Sequence, residues 1–539
     1  MRISTTFSTF VKDLALATGM TLARVTAPHL PEVATAVVMR RLLRDRKHAE
    51  IAKLWQEGKQ RYIVTQPLSQ QHAGQTVRSS LASIHTRLQD VMLRSEGEDG
   101  AKVLLLSPLE AAILKERFRE LLIEEDVQYT LTRTPLLGKL DPIIVPKSLA
   151  RTVSIRVQGR NGRPLTGAHV VLFTDVVRGR AYEGISDAKG QVTLAIRKTD
   201  RRFTKVVVLP RAGFWSRLWK HVEVASTLVL RVSPLPVGGF DWGHRATEAA
   251  TVQERYLGRG VKVAIIDSGI APHWSLHVAG GRNFIVGEAA DAWHDDVDGH
   301  GTHCAGVVAA VQHEASVWGY VPQASLYALR VFGGADGGGY ASDIRDAVKW
   351  AVQTECDIIS MSLGGGTPSH FLSRAIEEAS NAGVLCVAAA GNTSGPVDYP
   401  ARCGTVVAVT AIGKVGTYPR NSLHGEARSR IRSANRAYFL ASFSNRGDEV
   451  NFCAPGVAIT STLPHNAFAA WDGTSMACPH IAGIAALALD ASPEINRARR
   501  DAERTIRLLE RLQGLSIDLG MARMYQGAGL PLVSRLLCT

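Results

Sequence analysis

Three polar residues, Asp267, His300 and Ser475, lie in sequence surroundings that could support catalysis. Asp267 directly follows the apolar run VKVAII, and a carboxylate at the end of a buried strand is costly unless a donor or a cation meets it. His300 lies between two glycines, which let backbone and ligand approach the imidazole closely. Ser475 opens a long apolar stretch, so its hydroxyl is predicted at the positive end of a helix dipole.

Together these residue types would support nucleophilic acyl transfer. A serine hydroxyl is a weak nucleophile until a neighbouring imidazole removes its proton, and the imidazole needs a carboxylate to fix its tautomer. Asn392, in the segment AAAGN, could donate to the developing oxyanion, and loss of one such donor typically costs about 100- to 1000-fold in turnover. Taken singly, Asp267 also fits a turn or a helix cap and Ser475 an ordinary cap, but the combination predicts a catalytic site.

A metal site is the alternative for the histidines. His303 lies one helical turn after His300, and two histidines at this spacing could be metal ligands. No glutamate or third ligand follows at a suitable distance, so the sequence predicts no metal here.

The elements that must position these residues read as a parallel sheet. Four near-continuous apolar runs, VKVAIID, CDIISMSL, VLCVAAA and TVVAVTAI, are typical of strands buried on both faces, and helical stretches separate them. Ligands of such sheets bind at the carboxyl ends of the strands, where Asp267, Ser362 and Asn392 fall. We therefore predict an α/β, doubly wound, mostly parallel sheet over residues 238–535.

Three segments precede this domain. Residues 1–60 are predicted to be helical and basic. Residues 61–138 form a small α+β pattern: a strand at 62–64, a helix reaching Val91, a strand in AKVLLL, a helix from Ser107 to near Glu125, and a last strand in DVQYTLT. Residues 150–235 alternate at period two through TVSIRVQG, HVVLFTD, QVTLAIR, TKVVVLP and STLVLRV, which indicates a β-sandwich. Residues 233–239 are interpreted as a linker.

Five motifs, VAIIDSGI, GHGTHCAG, SLGG, AAAGN and GTSMACPHIAG, match those of the subtilisin family (subtilases) in order, so residues 238–535 resemble a subtilase catalytic domain. The resemblance implies a serine endopeptidase that works through an acyl-enzyme, with Asp267, His300 and Ser475 as catalytic triad in the family's chain order. It further implies Asn392 as the oxyanion-hole side chain and His303 as a structural residue. Two other functions stay open on such a fold: an inactive peptide-binding protein, and a transpeptidase or macrocyclase with residues 413–441 as its lid.

By the same resemblance, a polypeptide substrate binds as an extended strand. The expected edge partners of that strand are Ser362, Leu363, Gly364, Gly337, Gly338 and Gly339. The expected pocket for the residue before the scissile bond is lined by Ala389, Ala390, Gly391 and Asn392. Asp398 falls near the base of this pocket, where an acid would favour lysine or arginine; a solvated loop aspartate is the alternative.

Residues 61–138 resemble the inhibitor-type propeptide of subtilases in RYIV, KVLLLSPLEAAIL and DVQYTLT. The resemblance implies that this segment is a partner of the catalytic domain, which it helps to fold and whose site it blocks with its last strand. Residues 150–235 look like regulatory β-sandwich modules appended to peptidases. Whether the chain cuts itself after about Thr132 or stays intact is open at this point.

Two departures from the family pattern concern calcium and an insertion. Ser275 stands where many subtilases carry a calcium-binding aspartate, and His313 stands where an asparagine is usual. We expect no cofactor for catalysis, and a structural calcium is possible although its usual strong site is lost. The arginine-rich segment between Ile412 and Ser442 is interpreted as a flexible surface loop.

Composition restricts the remaining classes. A net charge of +13 could indicate nucleic acid, yet no recognised nucleic-acid motif is present, so we expect no such partner. No window of about 18 uninterrupted apolar residues predicts a membrane span, and Lys12 and Asp13 interrupt the N-terminal apolar stretch. The seven cysteines lack metal or paired spacing, which fits a reducing compartment and predicts a cytoplasmic protein; secretion is the alternative.

Overall fold

The computed structural model describes residues 58–67, 74–132, 140–295, 298–333 and 337–538. The predicted basic helical segment 1–60 lies almost entirely outside the described residues. The described residues fall into two compact units. The first unit contains residues up to 128 together with 340–345 and 368–375, and the second contains 129–339, 346–367 and 376–539.

The first unit is a four-stranded antiparallel sheet with two helices, in the strand order β2-β3-β1-β4. Its elements are β1 (Gln60–Thr65), α1 (Gln75–Arg87), β2 (Met92–Ser95), β3 (Lys102–Leu106), α2 (Pro108–Arg117) and β4 (Leu122–Glu125). The predicted cap of α2 is confirmed: the Glu110 amide donates to Ser107 Oγ (3.3 Å), and the Ser107 amide donates to Glu110 Oε2 (2.8 Å).

Both predicted helices of this unit are too long. The first ends at Arg87, although Leu88 and Val91 beyond it are still buried. The second ends at Arg117 rather than near Glu125, because residues 122–125 form β4 and pair with β1 instead.

The second unit contains β5 (Gln128–Leu131) from Tyr129 onward and an all-β region of two sheets, ordered β10-β7-β13 and β12-β11-β8-β9-β6. The strands of these sheets are β6 (Asp141–Pro142), β7 (Ala150–Gln158), β8 (His169–Asp175), β9 (Arg180–Ile185), β10 (Gln191–Arg197), β11 (Arg202–Leu209), β12 (Arg217–Glu223) and β13 (Thr227–Arg231). Residues 141–235 are called the two-sheet module below. All five strands predicted from sequence are present, and β9 and β12, which carry charged residues among their apolar ones, were missed.

The rest of the second unit is built on a nine-stranded sheet in the order β16-β18-β15-β20-β22-β23-β25-β24, with β26 also paired to β23. The four predicted apolar runs are its parallel neighbours β15, β20, β22 and β23. The nine strands of this sheet are β15 (Lys262–Asp267), β16 (Val278–Asn283), β18 (Ser325–Arg330), β20 (Ile358–Met361), β22 (Leu385–Ala389), β23 (Val406–Lys414), β24 (Arg428–Arg432), β25 (Tyr438–Ala441) and β26 (Val450–Pro455). The other strands after residue 238 form small separate sheets: β14 (Gly239–Phe240) with β17 (Val317–Trp318), β19 (Gly339–Tyr340) and β21 (Leu363–Gly364) with β5, β27 (Ile459–Leu463) with β28 (Ala467–Trp471), and β29 (Ser516–Ile517) with β30 (Leu530–Pro531).

The helices around this sheet are α3 (Trp242–Ala246), α4 (His300–Ala309), α5 (Ala341–Gln353), α6 (His370–Asn381), α7 (Thr474–Ala491), α8 (Pro493–Asn496), α9 (Ala502–Leu515) and α10 (Arg523–Gln526). Among the described residues, α7 is the helix long and apolar enough to cross a membrane by length and composition alone, and 89% of that stretch is buried inside the protein. A core helix satisfies the same criterion.

Two sequence interpretations are wrong. The supposed linker 233–239 is bound to the chain ahead of it: the Trp215 amide donates to Ser233 O (2.8 Å), and the Leu235 amide donates to Gly213 O (2.9 Å). The supposed flexible loop contains the β24–β25 hairpin, which extends the large sheet because β25 pairs with β23. Apolar side chains hold this hairpin, since Ile431 packs against a buried cluster that includes Ile412 and Leu440.

Candidate active site

Asp267 and His300 form a buried pair at the carboxyl edge of the large sheet. Asp267 ends β15, and His300 begins α4 directly after Gly299, whose φ is 76°. The imidazole Nδ1 lies 2.7 Å from Asp267 Oδ1, and neither side chain is exposed. Gly301 allows this approach, because a Cβ there would come within 2.1 Å of Gly269 O.

Ser475 is the second residue of α7 and is also fully buried. Pro479 lies beyond the first turn of this helix, so the chain lacks there an amide that would otherwise donate to Ser475 O. Ser362 Oγ (2.9 Å) and Cys304 Sγ (3.6 Å) donate to that carbonyl instead. These side chains therefore support the helix at the position of the nucleophile candidate.

The Ser475 hydroxyl has hydrogen-bond partners other than the imidazole. It donates to Ser362 O (3.0 Å) and lies 2.6 Å from Thr132 Oγ1. His300 Nε2 is buried and has no hydrogen-bond partner among the described residues. Cys304 nevertheless shows that the two elements are adjacent, because its Sγ lies 4.0 Å from His300 Nδ1 and 3.6 Å from Ser475 O. The structure thus brings the histidine and serine elements together without the hydrogen bond between them.

Asn392 holds the segment before Ser475 and faces a carbonyl group. Its Oδ1 accepts hydrogen bonds from the Thr474 amide (2.9 Å) and hydroxyl (2.8 Å). Its Nδ2 donates to the carbonyl oxygen of Thr132, to which the Ser475 amide also donates (3.4 Å). Two donors therefore converge on one peptide carbonyl whose side-chain hydroxyl contacts Ser475.

The residues before Thr132 bind as a strand along the predicted edge. Strand β5 is antiparallel to β21, with Leu131 opposite Leu363 and Thr130 opposite Gly364. The Thr132 amide donates to Ser362 O (3.2 Å), which continues this ladder. On the other side of β5 lies the strand that begins at Gly339. Of the remaining predicted edge residues, Gly337 is exposed with φ 70° and Gly338 is partly exposed.

The predicted pocket residues follow the end of β22 and approach Asp398. Ala389 and Ala390 are fully buried, and Gly391 has no room for a side chain because a Cβ would lie 2.2 Å from Asp398 Oδ2. A Cβ on Gly364 would lie 3.2 Å from Thr132 Cγ2 and 3.1 Å from Asp398 Cβ, so both flank this glycine. Asp398 is half-buried, and desolvation raises the pKa of its carboxyl group.

Among the described His, Cys, Asp and Glu side chains, the one group of three close enough to share a metal ion is Asp267, His300 and Cys304. Burial and the nearby Asp267 charge raise the pKa of the Cys304 thiol well above its usual value, which disfavours the thiolate a metal needs. His303 has another place: its Nε2 lies 3.1 Å from Ile459 O and 3.2 Å from Ala469 O, and its ring stacks on Trp471.

The residues at the family's calcium position do not fit the ion. Ser275 is buried, and its hydroxyl lies 2.8 Å from His273 Nδ1. The carbonyl of His313 accepts from Ser316 N (3.0 Å) and Trp318 Nε1 (3.0 Å), so this oxygen is already used. Calcium prefers six to eight oxygen ligands with several carboxylates, and these residues offer a hydroxyl and an imidazole.

Comparison with known proteins agrees with this geometry. A family model described as the subtilase family matches residues 258–511. Subtilisin Savinase from Lederbergia lenta is 37% identical over 291 residues, which are 54% of this chain and 95% of that protein. Subtilisin DY from Bacillus licheniformis is 38% identical over 281 residues, 51% of this chain and 90% of that protein. M-protease from Shouchella clausii (strain KSM-K16) is 37% identical over 291 residues, 54% of this chain and 67% of that protein.

The chain belongs to the subtilase family. It is a subtilisin-type serine endopeptidase with a subtilisin-like α/β fold, and the relatives do not favour a macrocyclase or an inactive binding protein. No cofactor is needed for catalysis by this family.

Several residues of the subtilase site were missed from the sequence. The Ser268 hydroxyl accepts from the Gly301 amide (3.0 Å) and donates to Asp295 (2.5 Å), and the Ser268 amide donates to Asp267 (2.7 Å). Thr474 donates two hydrogen bonds to Asn392. Ser268 and Thr474 are chain neighbours of the predicted residues Asp267 and Ser475, and this adjacency could have indicated them. No sequence pattern indicates Asp295, because it lies 27 residues from Ser268.

Proposed function

We propose that Asp267, His300 and Ser475 are the catalytic triad of this subtilase. Ser475 Oγ attacks the substrate carbonyl while His300 Nε2 accepts its proton, and Asp267 keeps the proton of the imidazole on Nδ1. The 2.7 Å Nδ1–Oδ1 contact supports the last role. For this step the serine hydroxyl must leave Ser362 O, to which it donates at 3.0 Å, and turn toward Nε2.

We assign the oxyanion hole to the Asn392 side chain and the Ser475 amide. The observation that carries this assignment, and the function as a whole, is the Thr132 carbonyl oxygen, on which both donors converge. Donors placed in advance at the position where charge develops are commonly the largest contribution to acyl-transfer catalysis.

Regulation by residues 61–132 is the second part of the proposal. Thr132 occupies the position of the residue before a scissile bond, since its carbonyl lies in the oxyanion hole and its hydroxyl contacts Ser475 Oγ at 2.6 Å. Attack by Ser475 Oγ on the Thr132 carbonyl carbon would form an ester and release the Arg133 amine, which takes its proton from His300. Water would then hydrolyse the ester to leave Thr132 as a carboxylate. Until the released strand dissociates, β5 blocks the site.

Asp398 makes lysine or arginine the preferred residue before the scissile bond in other substrates. Its half-buried carboxylate flanks the same glycine as the Thr132 side chain, and burial raises its pKa because the charged form loses hydration. An ammonium or guanidinium group in the pocket would supply that compensation.

Parallel purification of the wild-type chain and of Ser475→Ala tests the proposal. The wild type should label with a fluorophosphonate at Ser475 and give a fragment that begins at Arg133, whereas the variant should do neither and keep the full 58.2 kDa mass. If the wild-type protein is labelled by the fluorophosphonate but is never cut after Thr132, the proposed regulation is wrong. If the Ser475→Ala variant is still labelled or still cut, the proposed catalytic triad is wrong. Cyclic rather than linear products from a test peptide would favour the transpeptidase alternative.

A further inference from the structure

A second buried histidine–aspartate pair lies just ahead of the nucleophile. His424 Nδ1 is 2.7 Å from Asp472 Oδ1, and the side chains are only 1% and 3% exposed. The same carboxylate oxygen accepts from the Ala458 amide at 2.6 Å. Asp472 is three residues before Ser475, so this pair fixes the chain where it enters α7.

The short segment between Asp472 and Ser475 is therefore held from both ends. Asn392 binds Thr474 through two hydrogen bonds, and His424 binds Asp472. Gly473 lies between Asp472 and Thr474 and has a φ of 156°, a backbone conformation that residues other than glycine rarely adopt. A glycine hinge with one anchor removed would let the serine move relative to the oxyanion hole.

His424 reaches this position because its own segment is bound to the two-sheet module. The histidine lies in a short helical turn, Leu423–Ala427, within the arginine-rich segment between Ile412 and Ser442. The Leu218 amide donates to Asn421 O (2.8 Å), and the Ser216 and Ser422 hydroxyls are 3.0 Å apart. Leu423 is buried in an apolar cluster of that module.

Two contacts from one loop of the module complete the connection. The Trp215 ring packs edge-on against the His424 ring, with centroids 5.6 Å apart and planes at 81°. The Gly213 amide donates to Phe468 O (2.7 Å), in the strand β28 that leads directly into Asp472. The module thus contacts both the partner of Asp472 and the strand before it.

We infer that His424 is a positioning residue, through which the two-sheet module holds Asp472 and so places Ser475 for attack. The module is on this view part of the working protease after cleavage following Thr132, rather than a detachable spacer. The inference rests on the proposed role of Ser475. Removal of the His424 donor should lower turnover with little change in KM, because a displacement of about 1 Å at a reacting group can cost roughly 100-fold.

Two substitutions separate the hydrogen bond from the packing. His424→Phe keeps a ring against Trp215 but lacks the donor, and His424→Asn keeps a donor near the Nδ1 position but lacks the ring. His169→Ala is the matched control, since it deletes another histidine–carboxylate contact (2.8 Å, to Glu183) within the module. Each protein is assayed for kcat and KM at equal concentrations of folded protein, alongside its thermal midpoint.

We expect kcat to fall by about 10- to 100-fold in His424→Phe with KM within about threefold, and to recover at least partly in His424→Asn. His169→Ala should match the wild type in both constants. Equal kcat in wild type and His424→Phe, or a loss in His424→Asn that exceeds the loss in His424→Phe, would overturn the inference even if thermal midpoints fall. A wild type that neither labels nor cleaves would instead reject the proposed function.

Discussion

Asn392 offers the sharpest test of the oxyanion hole, because its two polar atoms have separate tasks. The Nδ2 group donates to the Thr132 carbonyl, and Oδ1 accepts two hydrogen bonds from Thr474. Asn392→Ala removes one of the two donors on that carbonyl and should lower kcat by about 100- to 1000-fold, or about 2.7–4 kcal/mol of transition-state stabilisation. Cleavage after Thr132 should slow by a similar factor, since the same donors serve both reactions.

Asn392→Asp is the informative companion to the alanine variant. It keeps an oxygen that accepts from Thr474 but turns another oxygen, instead of a donor, toward the substrate carbonyl. We expect a loss at least as large as that of Asn392→Ala, measured by hydrolysis of a fluorogenic peptide at equal concentrations of folded protein. Fluorophosphonate labelling cannot serve for normalisation here, because it depends on the same donors. Activity of Asn392→Asp within about threefold of the wild type would refute the oxyanion assignment and leave Asn392 only as the clamp on Thr474.

Three further predictions concern the substrate strand, the pocket and calcium. Tyr129 is only 1% exposed, and its hydroxyl donates to Thr367 O (3.1 Å). In a peptide substrate that contains the sequence YTLT, replacing the tyrosine by alanine should therefore reduce kcat/KM by about 100-fold. An unchanged kcat/KM would contradict the assignment of β5 as a substrate-like strand. Burial raises the pKa of Asp398, so its carboxylate forms at a higher pH than that of an exposed aspartate. Selectivity for lysine over an uncharged residue should therefore rise with pH in the acidic range, and in Asp398→Asn the selectivity should stay low at every pH. Because Ser275 and the His313 carbonyl are already hydrogen-bonded, EDTA should shift the thermal midpoint by less than about 2 °C, whereas a calcium site occupied at 1,000-fold above its Kd would contribute about 4 kcal/mol.

The elements that carry chemistry on the large sheet could be predicted because they are local in sequence. A strand buried on both faces must be apolar throughout, so β15, β20 and β22 were visible as runs. Polar residues at their carboxyl ends were then placed together by topology alone, which put Asp267 beside the elements that carry Asn392 and Ser362. The glycines around His300 indicated close approach, and the structure shows why Gly301 is needed.

Side-chain direction and element ends followed less well from sequence. Nothing local determines whether the Ser475 hydroxyl points to His300 or to Ser362 O, because Ser362 and Thr132, the residues that contact it, are distant in sequence. The helix predicted to run to Glu125 shows a related limit. Its charged residues fit a helix surface, yet pairing with β1 satisfies the backbone of residues 122–125 as a strand, and this tertiary gain overrides propensity.

The two segments that were misread have a common physical cause. Residues 233–239 and the arginine-rich segment after Ile412 are rich in residues typical of exposed loops, and both would be mobile if they had only solvent around them. Residues 233–235 are instead part of the two-sheet module, where the Leu235 amide donates to Gly213 O, and His424 packs against Trp215 of the same module. Each contact joins residues that are distant in sequence, so no local sequence pattern predicts it. His424 reaches Asp472 only because the module holds its segment in place, so the residues that looked least structured are those that connect the appended sheets to the nucleophile.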